Sequence, residues 1–396
     1  MKKNSLFIPP VCQVVLILLV FFIPVRSAAQ YTLRIELASI PANHLGDSVF
    51  VAGNFNHWQP GKSGYHFSKE NERLVVEVKD LPVDYYEFKF IRGNWKSVEV
   101  AADGKDVENK SIKLISDTTV QYEIAAWKDD FAPVSKIHTA NKNVQVMDTA
   151  FYIPELDRSR RIWLYLPEDY SKGKKRYPVM YMHDGQNIFD EATSAYGEWG
   201  VDESVDSLIN ARKPACIIVG IDNGPQRMSE YNPYEFRDFG KGEGDQYIEF
   251  LTQTLKPFID KNYRTLADKD NTIIAGSSMG GLISYYAMLV KPDVFGKAGI
   301  FSPAFWTAEP IKALTDSLAR NINGKFFFYA GGQESGAMIN DMEEIQEVLG
   351  EKSSAMIYSV IDAESAHNEK AWRKWFGEFY TWIMANGYNT VIKVMD

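Results

Sequence analysis

The 396-residue sequence has only two cysteines, which excludes a disulfide framework and a cysteine-built metal cluster. It has no excess of positive charge. A formal net charge of −9 disfavours nucleic-acid binding, which needs a basic face to neutralise phosphates. Long apolar runs are also scarce: the main one, Val11 to Val25, is broken by Gln13 and falls short of the ~20 residues a spanning helix needs. No internal repeat is visible. What remains is a globular composition, 45% hydrophobic and 24% charged, which excludes a disordered or collagen-like chain. Aromatic residues reach 13%, which suits recognition of sugars or aryl groups and serves equally well in a core. The length is about twice what one domain needs, so two domains are expected.

Lys2 and Lys3, the apolar run, and the small residues Ser27 and Ala29 have the layout of a secretory signal peptide over 1–29. Cleavage near Ala29 would take three basic residues (Lys2, Lys3, Arg26) and Cys12 with it. The remaining thiol, Cys216, lies in the apolar segment Cys216-Ile217-Ile218-Val219 and is expected to be buried and inert. The product is expected to be periplasmic or secreted, with no membrane attachment after cleavage.

Residues 30–127 read as short strands separated by Gly, Asn, Pro and Asp: Tyr31–Ile40, Ser48–Phe55, Arg73–Val78, Tyr85–Ile91 and Val120–Ala125. Period-two alternation, as in Glu87-Phe88-Lys89-Phe90, without helical stretches predicts an all-β sandwich. Residues 128–145 lack periodicity and read as a linker. From 146 to 396 the pattern changes. Two strand-like segments, Val144–Ile153 and Arg161–Tyr165, lead into apolar strands alternating with helical stretches. The strands are Tyr177–His183, Cys216–Ile221, Asn271–Gly276, Ala298–Ser302, Lys325–Ala330 and Met356–Asp362. Tyr247–Tyr263 has helical spacing. This alternation predicts an α/β fold on a mostly parallel central sheet.

Gly276-Ser277-Ser278-Met279-Gly280 matches G-x-S-x-G with Ser278 at the centre. The string is short, and its context gives it weight. The buried-type strand Asn271–Ala275 precedes it and the helical stretch Leu282–Val290 follows, as a nucleophile elbow requires. A phosphate loop would put a Lys after the last Gly, where Leu282 stands. Elbows of this kind take their acid and base from later in the chain, in that order. His367 is the one histidine beyond Ser278, and it follows the strand Met356–Asp362. Glu334, after the strand Phe326–Ala330, is the favoured acid; Asp362 and Glu364, close to His367 in the chain, stay as rivals. An oxyanion hole would draw on the N–H of Met279 and, from the Tyr181-Met182-His183-Asp184-Gly185-Gln186-Asn187 segment, that of Gln186. His183 has no partner at metal-ligand spacing and is expected to be structural. Neither a metal nor another cofactor is expected.

The run YPVMYMHDGQNIFD (177–190), IIVGIDN (217–223), YIEFLTQTLKPFIDKNYRT (247–265), IIAGSSMGGLISYYA (273–287), GGQE (331–334) and His367 resembles an esterase family of the α/β-hydrolases. That family includes carbohydrate esterase family one, S-formylglutathione hydrolases and enterochelin esterases. The resemblance covers roughly Val146 to Gly387. It implies Ser278, Glu334 and His367 as triad, Gln186 and Met279 as oxyanion donors, and Arg227, Tyr231 and Trp306 around the substrate mouth. In the N-terminal half, VFVAGNFNHWQPG (49–61), LPVDYYEFKFIRGNW (81–95) and DVENKSI (106–112) resemble glycogen-binding modules of the early-set, immunoglobulin-like type. That resemblance implies Trp58 and Trp95 as a sugar platform, with Lys89 and Asn109 as hydrogen-bonding partners. Lys96-Ser97-Val98 departs from the pattern after Trp95. The expected activity is a secreted serine esterase removing feruloyl or acetyl groups from plant polysaccharide. A siderophore trilactone esterase is the alternative. The expected partners are an ester-substituted carbohydrate or a small ester, and a polysaccharide on the N-terminal module.

Overall fold

The structure, a computed structural model, describes residues 29–71, 73–132, 136–236, 239–385 and 391–395. The signal peptide expected over 1–29 lies outside them but for Ala29. Among the described residues nine strands occupy the N-terminal part: β1 (Gln30–Ser39), β2 (Phe50–Gly53), β3 (Ser68–Glu70), β4 (Arg73–Pro82), β5 (Asp84–Ile91), β6 (Glu99–Val100), β7 (Lys110–Leu114), β8 (Thr118–Glu123) and β9 (Ala126–Trp127). Sheet β3-β4-β1-β8 and sheet β2-β5-β7 face one another, and β6 pairs with β9. The chain passes between the two main sheets at Val83, from β4 to β5. Alternation decides which side chains meet: Leu33, Ile35, Leu37, Val76 and Val78 from one sheet pack on Val51, Phe88, Phe90 and Leu114 from the other. The short strands β3, β6 and β9 lack the apolar alternation that marks the longer ones.

The aperiodic residues after this part are fastened to the α/β part by polar contacts. Thr139 N–H donates to Asp190 (3.1 Å), His138 Nδ1 meets the same carboxylate (2.6 Å), and Asn141 N–H donates to Asp202 (2.9 Å).

Among the described residues the α/β part has nine strands: β10 (Val144–Ile153), β11 (Arg158–Tyr165), β12 (Val179–His183), β13 (Ile217–Ile221), β14 (Thr272–Ser277), β15 (Lys297–Phe301), β16 (Lys325–Gly331), β17 (Met356–Asp362) and β18 (Val391–Met395). Their order is β10-β11-β13-β12-β14-β15-β16-β17-β18. β10, β11 and β13 pair antiparallel, and from β13 to β18 every neighbour is parallel. This is the α/β-hydrolase type of sheet. β18 has no counterpart among the strands expected from sequence.

Among the described residues eight α-helices cover it: α1 (Val201–Asn210), α2 (Arg227–Glu230), α3 (Gly244–Glu249), α4 (Lys256–Asn262), α5 (Met279–Val290), α6 (Ile311–Leu318), α7 (Gly336–Lys352) and α8 (Glu369–Met384). A wider π-helical stretch, Phe250–Leu255, joins α3 to α4, so the helical spacing of 247–263 forms one continuous segment; Phe250, Leu251, Leu255 and Ile259 are buried, and Phe258 is exposed. Helices on both faces explain the unbroken apolar strands. On β16, Phe326 and Phe328 join one core with α5 and α7, while Phe327 and Tyr329 join the other with α8. Burying each such ring contributes about 1.5–3 kcal/mol. Cys216, 0% exposed, is part of the second core. Among the described residues no helix is long and apolar enough to cross a membrane.

Candidate active site

Parallel strands deliver their following loops to one edge of the sheet, and four such loops carry the candidate residues. Ser278 stands between β14 and α5, at the sharp turn from strand to helix. Its backbone, φ 57° and ψ −118°, lies in a sparsely populated region for a residue with a side chain. Two things hold it there. Ser278 N–H donates to the Phe301 carbonyl (2.9 Å), and Ala304 N–H donates to the Ser278 carbonyl (3.1 Å), pinning the turn to the end of β15. The flanking glycines let the segments close: a Cβ on Gly276 would lie 2.9 Å from the Gly280 carbonyl carbon, and one on Gly280 would lie 3.2 Å from the His183 Cβ. This explains G-x-S-x-G as a packing requirement.

Glu334 and His367 follow β16 and β17. His367 Nδ1 is 2.8 Å from Glu334 Oε2. The other carboxylate oxygen, Oε1, accepts from Ser302 Oγ (2.6 Å) and from Gly331 N–H (2.7 Å). Ser302 in turn accepts from Trp372 Nε1 (2.9 Å), and the Trp372 ring stands edge-on to His367 with centroids 5.1 Å apart. Glu334 is 2% exposed, so its charge is held by donors rather than by water. Sequence reasoning did not find Ser302 or Trp372. The rival acid Asp362 is engaged elsewhere, by Ser365 Oγ (2.7 Å), Lys374 Nζ (2.6 Å) and Trp375 Nε1 (2.8 Å). Burial opposes that charge, but these donors hold its pKa down to about 2. The other rival, Glu364, is exposed.

Burial works to lower the His367 pKa, but the charge and hydrogen bond of Glu334, with the charges of Glu87 and Glu369, outweigh it and raise it above the ordinary value. Ser278 Oγ and His367 Nε2 have no hydrogen-bond partner among the described residues. Such contacts commonly tighten only when a substrate is bound.

The oxyanion candidates lie in the helical segments that follow β12 and β14, neighbouring parallel strands of the sheet. Met279 is the first residue of α5, so its N–H has no acceptor within the helix. Gln186 is the middle residue of a single helical turn, Gly185–Asn187. That turn follows Asp184, whose φ of 56° is left-handed. Asp184 accepts from Arg227 at both oxygens (2.8 Å each) and from Asn223 Nδ2 (2.5 Å). Burial opposes the Asp184 charge, but Arg227 and Asn223 lower its pKa. Gln186 Oε1 accepts from Asn223 N–H (3.1 Å), which ties the turn to the loop after β13.

The residues proposed around a substrate mouth separate. Tyr231 is 0% exposed, which corrects its reading as a mouth residue. Its hydroxyl accepts from Asp184 N–H (3.4 Å), and its ring packs 5.1 Å from those of His183 and Tyr247. It supports the Asp184 turn from below. Arg227 is half-buried, stacked over Tyr231 and committed to Asp184. Trp306 is 38% exposed; its ring stacks on His57 of the N-terminal part, centroids 5.3 Å apart and 16° from parallel. His183 is buried, contacts Tyr247 Oη through Nδ1 (3.0 Å), and burial lowers its pKa to about 3. Among the described residues no group of three or more His, Cys, Asp or Glu is arranged to hold a metal ion.

Trp58 and Trp95 lie side by side in the N-terminal part, centroids 6.2 Å apart but tilted by 37°. Lys89 is half-buried and Asn109 partly exposed. Lys89 makes no ion pair among the described residues, and burial lowers its pKa.

Residues 153–382 match the family model described as "Putative esterase". Similar proteins include an endo-1,4-beta-xylanase/feruloyl esterase of Xylanibacter ruminicola, 30% identical over 64% of this chain and 32% of that protein. The iron(III) salmochelin esterase of Escherichia coli is 28% identical over 38% of this chain and 33% of that protein. The chain thus spans about a third of each of these two relatives. The crystal structure of the enterobactin esterase FES from Shigella flexneri superimposes with a TM-score of 0.52 over 85% of this chain and 87% of that one, at 15% identity. That likeness is one of fold.

Proposed function

The chain belongs to the esterase family matched over 153–382 and is a carboxylic ester hydrolase; from that membership we propose a serine esterase acting on neutral, ester-substituted carbohydrate outside the cytoplasm. Ser278 attacks the ester carbonyl carbon while its proton passes to His367 Nε2. Glu334 holds the imidazole through Nδ1 and stabilises the imidazolium. The N–H groups of Gln186 and Met279 bind the developing oxyanion. The imidazolium gives its proton to the leaving alcohol as the C–O bond breaks, leaving an acyl-enzyme. Water, deprotonated by His367, then releases the acid.

The charge around His367 carries the choice of substrate. Glu334, Glu87 and Glu369 all bear on the imidazole. These carboxyl groups are buried and do not line a surface, but their field disfavours an anion at His367 more than a neutral sugar ester. The tilted Trp58–Trp95 pair, on the same module as Glu87, supports a carbohydrate substrate through its two ring faces. The signal-like layout of 1–29 supports a location outside the cytoplasm.

Siderophore trilactone hydrolysis is the second reading, favoured by the identity with a salmochelin esterase. The test is a panel of acetylated xylan, feruloylated arabinoxylan and a catecholate trilactone, with the wild type and Ser278→Ala. Release of acetate or ferulate by the wild type alone is expected. Trilactone hydrolysis without release from either xylan would decide for the second reading. Equal rates for wild type and variant would refute the serine mechanism.

A further inference from the structure

Strand β5 poses a burial problem. Tyr86, Phe88 and Phe90 point into the core between the two N-terminal sheets. Alternation therefore turns Tyr85, Glu87 and Lys89 to the outer face, where a carboxylate ordinarily meets water. Glu87 is nonetheless only 6% exposed. A carboxyl group buried on the outer face of a sheet must be covered by something else.

The cover is the loop that carries the candidate acid. Asp84, which opens β5, accepts from Ser335 Oγ (2.8 Å) and from Gly336 N–H (2.6 Å), the two residues directly after Glu334. A second clamp is the His57–Trp306 stack; Trp306 lies two residues beyond Ala304, whose N–H holds the Ser278 carbonyl. The outer face of β5 is thereby laid over the site's edge. The charges that bear on Glu87 are His367, Glu334 and Glu108, with the Asn109 amide beside it. Those that bear on His367 are Glu334, Glu87 and Glu369.

Resting on the esterase reading above, we infer that Glu87 is a positioning residue of the active site: the N-terminal module brings a further carboxylate to His367 that stabilises its imidazolium through space. When Ser278 Oγ bonds to the carbonyl carbon and its proton moves to Nε2, the new positive charge is stabilised by Glu334, which binds the ring directly, and by Glu87, which acts on it without a hydrogen bond. Burial raises the Glu87 pKa to about 7, so Glu87 and His367 titrate in the same range as a linked pair. The module is then part of the catalytic machinery as well as a candidate glycan-binding surface.

The test uses the full chain with ring-labelled histidine, the His367 NMR signal being assigned by its loss in His367→Asn. Apart from the titration of Glu369, whose pKa burial also raises to about 7, this signal in the wild type should show a second inflection where Glu87 titrates. In Glu87→Gln that inflection should vanish and the His367 midpoint should fall by about half a pH unit or more. Glu87→Asp, which keeps the charge, should restore most of the midpoint. The acid limb of kcat/KM should move down with the midpoint in Glu87→Gln, while the high-pH plateau falls several-fold. A wild-type signal with one inflection, or the same midpoint in wild type and Glu87→Gln, would overturn the inference. The NMR reading needs no turnover, so failure of the esterase reading would appear separately, as a protein whose histidines titrate as expected but which cleaves no ester.

Discussion

Replacing Glu334 by glutamine tests the proposed triad most sharply, because the structure dictates how the amide must sit. Oε1 of the native carboxylate accepts from two donors, Ser302 Oγ and Gly331 N–H. In Glu334→Gln the carbonyl oxygen is held by those two donors, so the amide NH2 faces His367 Nδ1. A donor there forces the imidazole to accept at Nδ1 and carry its proton on Nε2, the tautomer that cannot take the proton of Ser278. The variant also removes the buried charge that stabilises the imidazolium. Loss of the equivalent carboxylate in serine hydrolases of this chemistry lowers kcat by about 10⁴-fold, or ~5.5 kcal/mol of barrier. The assay is kcat and kcat/KM on an aryl acetate from pH 5 to 9, with thermal unfolding to show that the fold survives. The wild-type limb also has a required position. The base must be neutral, and its pKa is raised, so kcat/KM should fall as pH drops through a midpoint above the ordinary histidine value of 6.5. A loss in Glu334→Gln of less than ~10-fold in kcat, a rate change far smaller than tautomer reversal demands, would refute the assignment of Glu334.

Two further outcomes follow from the same geometry. Ser302→Ala removes a 2.6 Å hydrogen bond to a buried carboxylate and strands Trp372 Nε1, so it should cost about 2 kcal/mol in urea unfolding and lower kcat while leaving the labelling of Ser278 by a fluorophosphonate possible. Unchanged stability would show that Glu334 is held without Ser302. Gly276→Ala places a methyl group 2.9 Å from backbone at Gly280, which cannot yield without moving the elbow; about 1–3 kcal/mol of stability and most of the activity should be lost together. An active, equally stable Gly276→Ala protein would mean that the close approach of Gly276 to Gly280 can relax without disturbing the elbow.

The residues that were legible in the sequence are those whose roles are set by their immediate neighbours. Ser278 stands out because only glycine fits on either side of the turn. The sheet stands out because strands covered on both faces must be apolar throughout, as in Phe326-Phe327-Phe328-Tyr329. His367 follows from chain order, being the one histidine after the elbow. The acid was narrower than certain: Glu334, Asp362 and Glu364 are all carboxylates after strands of the right sheet. Tertiary structure separates them, because Lys374, Trp375 and Ser365 take up Asp362 while Ser302 and Gly331 turn Glu334 toward the imidazole.

Tyr231 lies near the opposite limit. Its segment resembles those that line a mouth, yet the packing of His183 and Tyr247 against its ring buries it beneath the Asp184 turn. Ser302, Trp372 and Glu87 act through contacts between segments remote in the chain, and no local pattern encodes such a meeting. For Glu87, period-two alternation determined by itself which face of β5 the carboxyl occupies. Only the docking of β5 through Asp84 onto Ser335 and Gly336 decided that this face would meet a histidine instead of water, since burial depends on what the rest of the chain places against a surface.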